Sequence, residues 1–133
     1  MLDINDALDI IEDNKVVAVV GLSPKTDRPS YTVGNFLKER GYQLIPINPG
    51  PHEKILGETN KMSLSNLSPD EADWLDLFVN PARLTDLLPE IIRLNPKLVW
   101  CQIGVVNDTF NKKLDEAGIP YVADVCPKIE LAK

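Results

Sequence analysis

Apolar residues fall in short runs along this chain, and their spacing alternates between unbroken and helical. Val16–Leu22 is nearly continuous and rich in β-branched residues, the pattern of a strand buried on both faces. Gln43–Ile47, Trp74–Val79, Lys97–Ile103 and Pro120–Asp124 repeat it and predict four more strands. Between them the period lengthens. Asp3–Asp13 places Ile4, Ala7, Leu8 and Ile11 on one face, and Ser30–Arg40 does the same with Val33, Phe36 and Leu37 before Gly41 stops it. Ala82–Leu94 carries Leu84, Leu87, Leu88, Ile91 and Ile92 at helical spacing, with Pro89 a point of kinking or delay. Asn107–Ala117 is a further helix, closed by Gly118. Residues 51–73 are the least regular and read as a turn and a short helix.

Strands alternating with helices at this spacing imply right-handed crossovers, and so an α/β fold with a parallel five-stranded sheet covered by helices on both faces. The absence of repeats, linkers and low-complexity tracts in the 133 residues leads us to expect one domain, 1–133.

Composition narrows the function classes. The chain is 44% hydrophobic and 26% charged, as expected of a soluble globular protein, and no apolar run approaches the ~20 residues that span a bilayer. The opening MLDINDALDIIEDN carries acids where a signal peptide has positive charge, so a cytoplasmic location is expected. A net charge of −6 argues against general nucleic-acid binding but not against a small anionic ligand, which needs only a few local cations and N–H groups. Two cysteines are too few for a disulfide framework, and one histidine without CxxC or HxxxH spacing argues against zinc.

In such sheets ligands sit beyond the carboxyl ends of the strands, which selects Gly21–Ser30, Asn48–Pro51, Asn80–Ala82 and Gly104–Asn107. The first is the most informative. Gly21 permits a tight turn and close backbone approach, Ser23 offers a hydroxyl, and Pro29-Ser30 begins a helix whose N-terminus favours phosphate oxygens. Lys25 and Arg28 add cations from the same loop, so a phosphate or pyrophosphate site is expected. It is not a standard dinucleotide or triphosphate site. GxGxxG is missing, Ile47-Asn48-Pro49 stands where a ribose-binding acid would follow the second strand, and Lys25-Thr26 lacks the glycine of a Walker motif.

The segments VGLSPKTDRPSY, PINPG, LG, VNP, VWCQIGVVND and DVCPKIE, in this order, resemble the small stand-alone coenzyme A-binding proteins. These are similar to the CoA-binding domain of the succinyl-CoA synthetase α-subunit. The resemblance implies a Rossmann-like domain that binds CoA, usually with no known reaction. It also implies that Gly21, Ser23, Lys25, Arg28 and Ser30 hold the phosphates, while Asn48 and Pro49 flank the nucleotide end. Val79, Asn80 and Pro81 would line the adenine or pantetheine path, with Gln102, Gly104 and Val105 on the opposite wall. Two positions depart from the common pattern: Asn80 stands where an arginine is expected, and Val125 precedes the cysteine where many relatives carry arginine.

The remaining chemistry is sparse. Cys126, just past the last strand, either meets the thiol end of CoA or packs as a small apolar residue. Cys101, Trp74 and Trp100 read as core. Asp124 reads as a turn carboxylate, His52 as a solvated loop residue, and Asp70, Glu71 and Asp73 as a solvated face or first helical turn. The expected function is therefore binding of CoA or acyl-CoA without assured catalysis, in a regulatory or redox-linked role. Self-association through a sheet edge or a surface helix is a further expectation. The alternative is a small oxidoreductase or acyl-transfer enzyme using the same cleft, against which stands the lack of a nucleophile–base pair.

Overall fold

A computed structural model describes residues 1–133. Five parallel strands form the central sheet: β1 (Val16–Val20), β2 (Gln43–Ile47), β5 (Trp74–Leu77), β6 (Leu98–Cys101) and β7 (Tyr121–Val122). Their spatial order is β2-β1-β5-β6-β7. The chain thus winds outward from β1 in one direction and from β5 in the other, and the switch point lies between these two neighbours. The fold is α/β, as the alternation of periods predicts, and Rossmann-like, as the family resemblance implies.

Side chains alternate across each strand and feed two cores. On one face Val17, Val19, Trp74, Leu98 and Trp100 pack with Ala7 and Ile11 of α1 (Ile4–Asp13) and with Val33 and Leu37 of α2 (Pro29–Glu39). Helix α5 (Pro127–Leu131) joins this layer beside α2. On the other face Ala18, Val20, Leu75, Leu77, Val99 and Cys101 meet Ile91 and Leu94 of α3 (Leu88–Leu94). Phe110 and Leu114 of α4 (Asp108–Glu116) complete that core. Both tryptophans are fully buried with their indole N–H groups satisfied, Trp74 donating to the Asn14 carbonyl at 3.0 Å and Trp100 to that of Val125 at 2.9 Å. No helix is long and apolar enough to cross a membrane.

Two segments differ from expectation. The helix expected over Ala82–Leu94 is a 3₁₀ stretch, Pro81–Leu87, followed by α3, and Pro89 stands in the first turn of α3. A proline there loses no hydrogen bond, because the first N–H groups of a helix have no internal partner, so Pro89 marks a start and not a kink. Residues 51–73 hold a small antiparallel hairpin, β3 (Lys54–Ile55) and β4 (Glu58–Thr59), before a 3₁₀ turn at Leu64–Asn66. Leu56 and Gly57 both have positive φ, 52° and 77°, as a two-residue hairpin turn demands. The hairpin rests on α2: a Cβ on Gly34 would meet Leu56 Cδ1 at 3.2 Å, Lys38 donates to the Leu56 carbonyl, and Lys38 pairs with Glu58 at 3.4 Å. Asp70–Asp73 are not helical; Glu71 accepts from the Ser68 N–H and hydroxyl, and Asp73 accepts from the Val16 N–H.

Candidate functional site

The loop that leaves β1 turns sharply at Gly21, whose φ is +86°. It then folds on itself through two serines. Ser30 Oγ accepts from the Ser23 N–H at 2.9 Å, and Ser23 Oγ accepts from the Lys25 N–H at 3.1 Å. Ser30 is 5% exposed, so its hydroxyl fastens the loop to the first turn of α2. No side chain caps the start of that 11-residue helix, where Arg28 is the N-cap and Pro29 the first helical residue. The dipole end of α2 therefore faces the loop.

The loop after β2 is tied to this one. Asn48 donates through Nδ2 to the Leu22 carbonyl at 2.9 Å and accepts from the Gly50 N–H at 2.7 Å. Asn60 donates to the carbonyls of Asn48 and His52 at 2.9 and 3.2 Å. Between the loops lies an open cavity of about 420 Å³, lined by Gly21, Ser23, Lys25, Arg28, Ser30 and Asn48, with Pro24, Pro29, His52 and Phe78. Its charged lining residues, Lys25 and Arg28, are cationic, and no carboxylate reaches it. In a chain of net charge −6 this is a local reversal of sign.

A second cavity of about 360 Å³ shares Gly21 and Phe78 with the first. Pro49, Val79 and Asn80 line it, with Val20, Ile47, Leu64 and Arg83 among the others. Asn80 is committed to structure, since its side chain accepts from the Ala82 N–H at 3.0 Å and caps the 3₁₀ segment. Arg83, three residues on, brings a guanidinium to the same cavity.

Five residues assigned from sequence line neither of these two cavities. Pro81 begins the 3₁₀ segment, its carbonyl accepting from Asn107 Nδ2 at 2.9 Å. Gly104, with φ +80°, donates its N–H to Asp124 Oδ1 at 2.8 Å, and Asp124 itself sits at φ +62° as a turn carboxylate. Val105 and Cys126 are both 8% exposed, and they pack in the cores on opposite faces of the sheet. Gln102 is turned inward at 5% exposure and donates to Asp76 Oδ1 at 2.7 Å.

Asp76 carries no role in the sequence reading, yet it is the most unusual group in the molecule. It lies in the middle of β5 with no exposed surface, and its Oδ2 has no hydrogen-bond partner. Burial pushes its carboxyl up to about 7 despite the opposing hydrogen bond from Gln102. Burial likewise pushes the Cys101 thiol up to about 12, with the Asp76 charge adding to it. The signal was an acid inside an otherwise apolar strand, WLDLF, with a glutamine at the end of the next.

The profile of the CoA binding domain matches residues 15–132. The chain belongs to the CoA binding domain family. The uncharacterized protein YneT of Bacillus subtilis is 31% identical over 121 residues, which cover 91% of this chain and 88% of YneT. Two solved structures are similar along nearly the whole length. The cell-free ID.343 protein of Thermus thermophilus is 37% identical with a TM-score of 0.92, covering 98% of both chains. A hypothetical protein of Pyrococcus horikoshii is 35% identical with a TM-score of 0.90, covering 98% of this chain and 91% of its own. The cationic cavity of this CoA binding domain lies beyond the carboxyl ends of β1 and β2, with Phe78 at the end of β5 bounding it on the side of the switch point.

Proposed function

We propose that this CoA binding domain captures coenzyme A or an acyl-CoA by its phosphates in the cavity between the β1 and β2 loops, and that it acts as a binding module. The observation that carries the reading is the cavity's sign. Lys25, Arg28 and the uncapped start of α2 converge on it, and no acid opposes them. The adjoining, more apolar cavity at Val20, Pro49, Leu64 and Val79 suits the adenine ring, with Arg83 at its margin. The pantetheine arm then runs across the strand ends.

Asn48 supports CoA over a nicotinamide dinucleotide. It stands where an acid would take the ribose hydroxyls, and its amide is already engaged by the Leu22 carbonyl and the Gly50 N–H. Titration calorimetry with CoA and NAD tests the reading. CoA is expected to bind far more tightly, and NAD binding as tightly as CoA overturns it. Native mass spectrometry of the purified protein is expected to find a co-purifying CoA mass.

A further inference from the structure

His52 reads from sequence as a solvated loop residue, but the fold carries it into the wall of the cationic cavity. Its placement is built. The His52 N–H donates to the Gly50 carbonyl at 2.8 Å, and its own carbonyl accepts from Asn60, which also holds Asn48. The ring lies against Gly50 so closely that a Cβ there would stand 2.9 Å from His52 Nε2. Gly50 therefore makes room for the imidazole, and the turn Asn48–His52 holds it in the lining of the cavity that Lys25 and Arg28 also line.

We propose that His52 is a third, proton-dependent arm of the phosphate site, so that anion capture tightens as the pH falls through the range where imidazole titrates. The inference rests on the reading of this cavity as the CoA phosphate site. A protonated imidazole offers two N–H donors and a positive charge; the neutral ring turns one nitrogen into an acceptor that repels phosphate oxygen. The charged groups that share the cavity lining with it are Lys25 and Arg28 of the β1–α2 loop. On its own segment Glu53 and Lys54 are exposed, and neither lines the cavity; nor does Asp27 on the facing loop. By linkage, a bound anion must in turn hold the proton on the ring.

The chain's single histidine makes the test direct. Dephospho-CoA is the first probe, because its pyrophosphate does not titrate near neutrality whereas the 3′-phosphate of CoA does, with a second ionisation near ~6. We expect its dissociation constant to fall about tenfold from about pH 8 to about pH 5.5 in the native protein, and to stay flat in His52→Gln. The lone imidazole resonance should titrate at higher pH when dephospho-CoA is saturating. An unchanged dissociation constant across this range, or a His52→Gln variant that keeps the native slope, overturns the proposal. If neither CoA nor dephospho-CoA binds at any pH, the CoA reading fails, and inorganic pyrophosphate takes their place in the same comparison. Pyrophosphate binding that tightens in acid and loses that slope in His52→Gln upholds the role of His52 for another phosphorylated ligand; no such difference overturns it as well.

Discussion

Gly21 and Phe78 touch across the switch point, backbone against backbone: a Cβ on Gly21 would collide with the Phe78 carbonyl oxygen and stand 3.3 Å from Phe78 Cβ. Both residues line both cavities, so the contact sets the floor on which each is built. Gly21→Ala combines left-handed strain at φ +86° with this collision. We expect it to destabilise the fold by roughly 2–4 kcal/mol and to abolish CoA binding. Gly118→Ala separates the causes, since its φ is +71° but a Cβ there meets nothing within 4 Å. It should cost only the strain, about 1–2 kcal/mol. Urea unfolding of both variants checks the difference, and equal costs would remove the collision from the account.

Arg28 is exposed at the mouth of the cationic cavity and holds no salt bridge, so replacing it touches binding and not packing. Arg28→Ala should weaken CoA by on the order of 1.5–3 kcal/mol, and dephospho-CoA by less, if the side chain reaches the 3′-phosphate. Calorimetry with both ligands decides. Equal losses place Arg28 at the pyrophosphate, and no loss for either makes it a solvated charge.

The buried carboxyl of Asp76 should make stability depend on pH. Its folded value of about 7 lies above the ordinary 3.8, so the native state holds this proton more tightly than the unfolded chain does. The contribution is complete below the unfolded value and is lost as pH rises through the interval to about 7. Asp76→Asn mimics the protonated form and retains an acceptor for Gln102. It should flatten the decline over this interval and be more stable than the native protein at about pH 8, by at most about 4 kcal/mol. Urea midpoints from acid to mild alkali provide the check. A variant with the native slope would show that Asp76 does not titrate there.

Cys101 is fully buried with its thiol pushed up to about 12, and Cys126, at the start of α5, is 8% exposed. Oxidised CoA should therefore add only to Cys126, at a rate limited by local opening of α5, and Cys126→Ser should abolish the adduct. Intact-protein mass spectrometry with and without low urea reads this. An adduct that maps first to Cys101 contradicts it.

Much of this architecture is written in local pattern. β1 and β2 are visible as apolar runs because strands buried on both faces need no polar alternation. The turn from Gly21 to Ser30 is visible because its glycine, hydroxyls and cations follow a strand and open a helix. What escaped depends on distant partners. The β3–β4 hairpin pairs only two residues on each side and turns through Leu56 in a left-handed conformation that leucine does not advertise. His52 enters the cavity only because Asn48 and Asn60 fold its loop back. The resemblance implies a ligand wall for Gln102, and the fold turns its side chain inward to Asp76, a pairing between different strands that neither segment reveals alone.

Lys25, Arg28 and His52 are exposed, whereas of the groups that fasten their loops Ser30 is buried and Asn48 and Gly21 are half-buried. On the proposed reading, recognition and folding are therefore written in different letters of the same short segments. Replacing the exposed three is then expected to retarget the crevice toward other anions, or toward none, while the scaffold keeps the bonds that shape it. A lineage built this way is free to change its ligand faster than its architecture, which makes the identity of residues 25, 28 and 52 the place to look for divergence among proteins that share this fold.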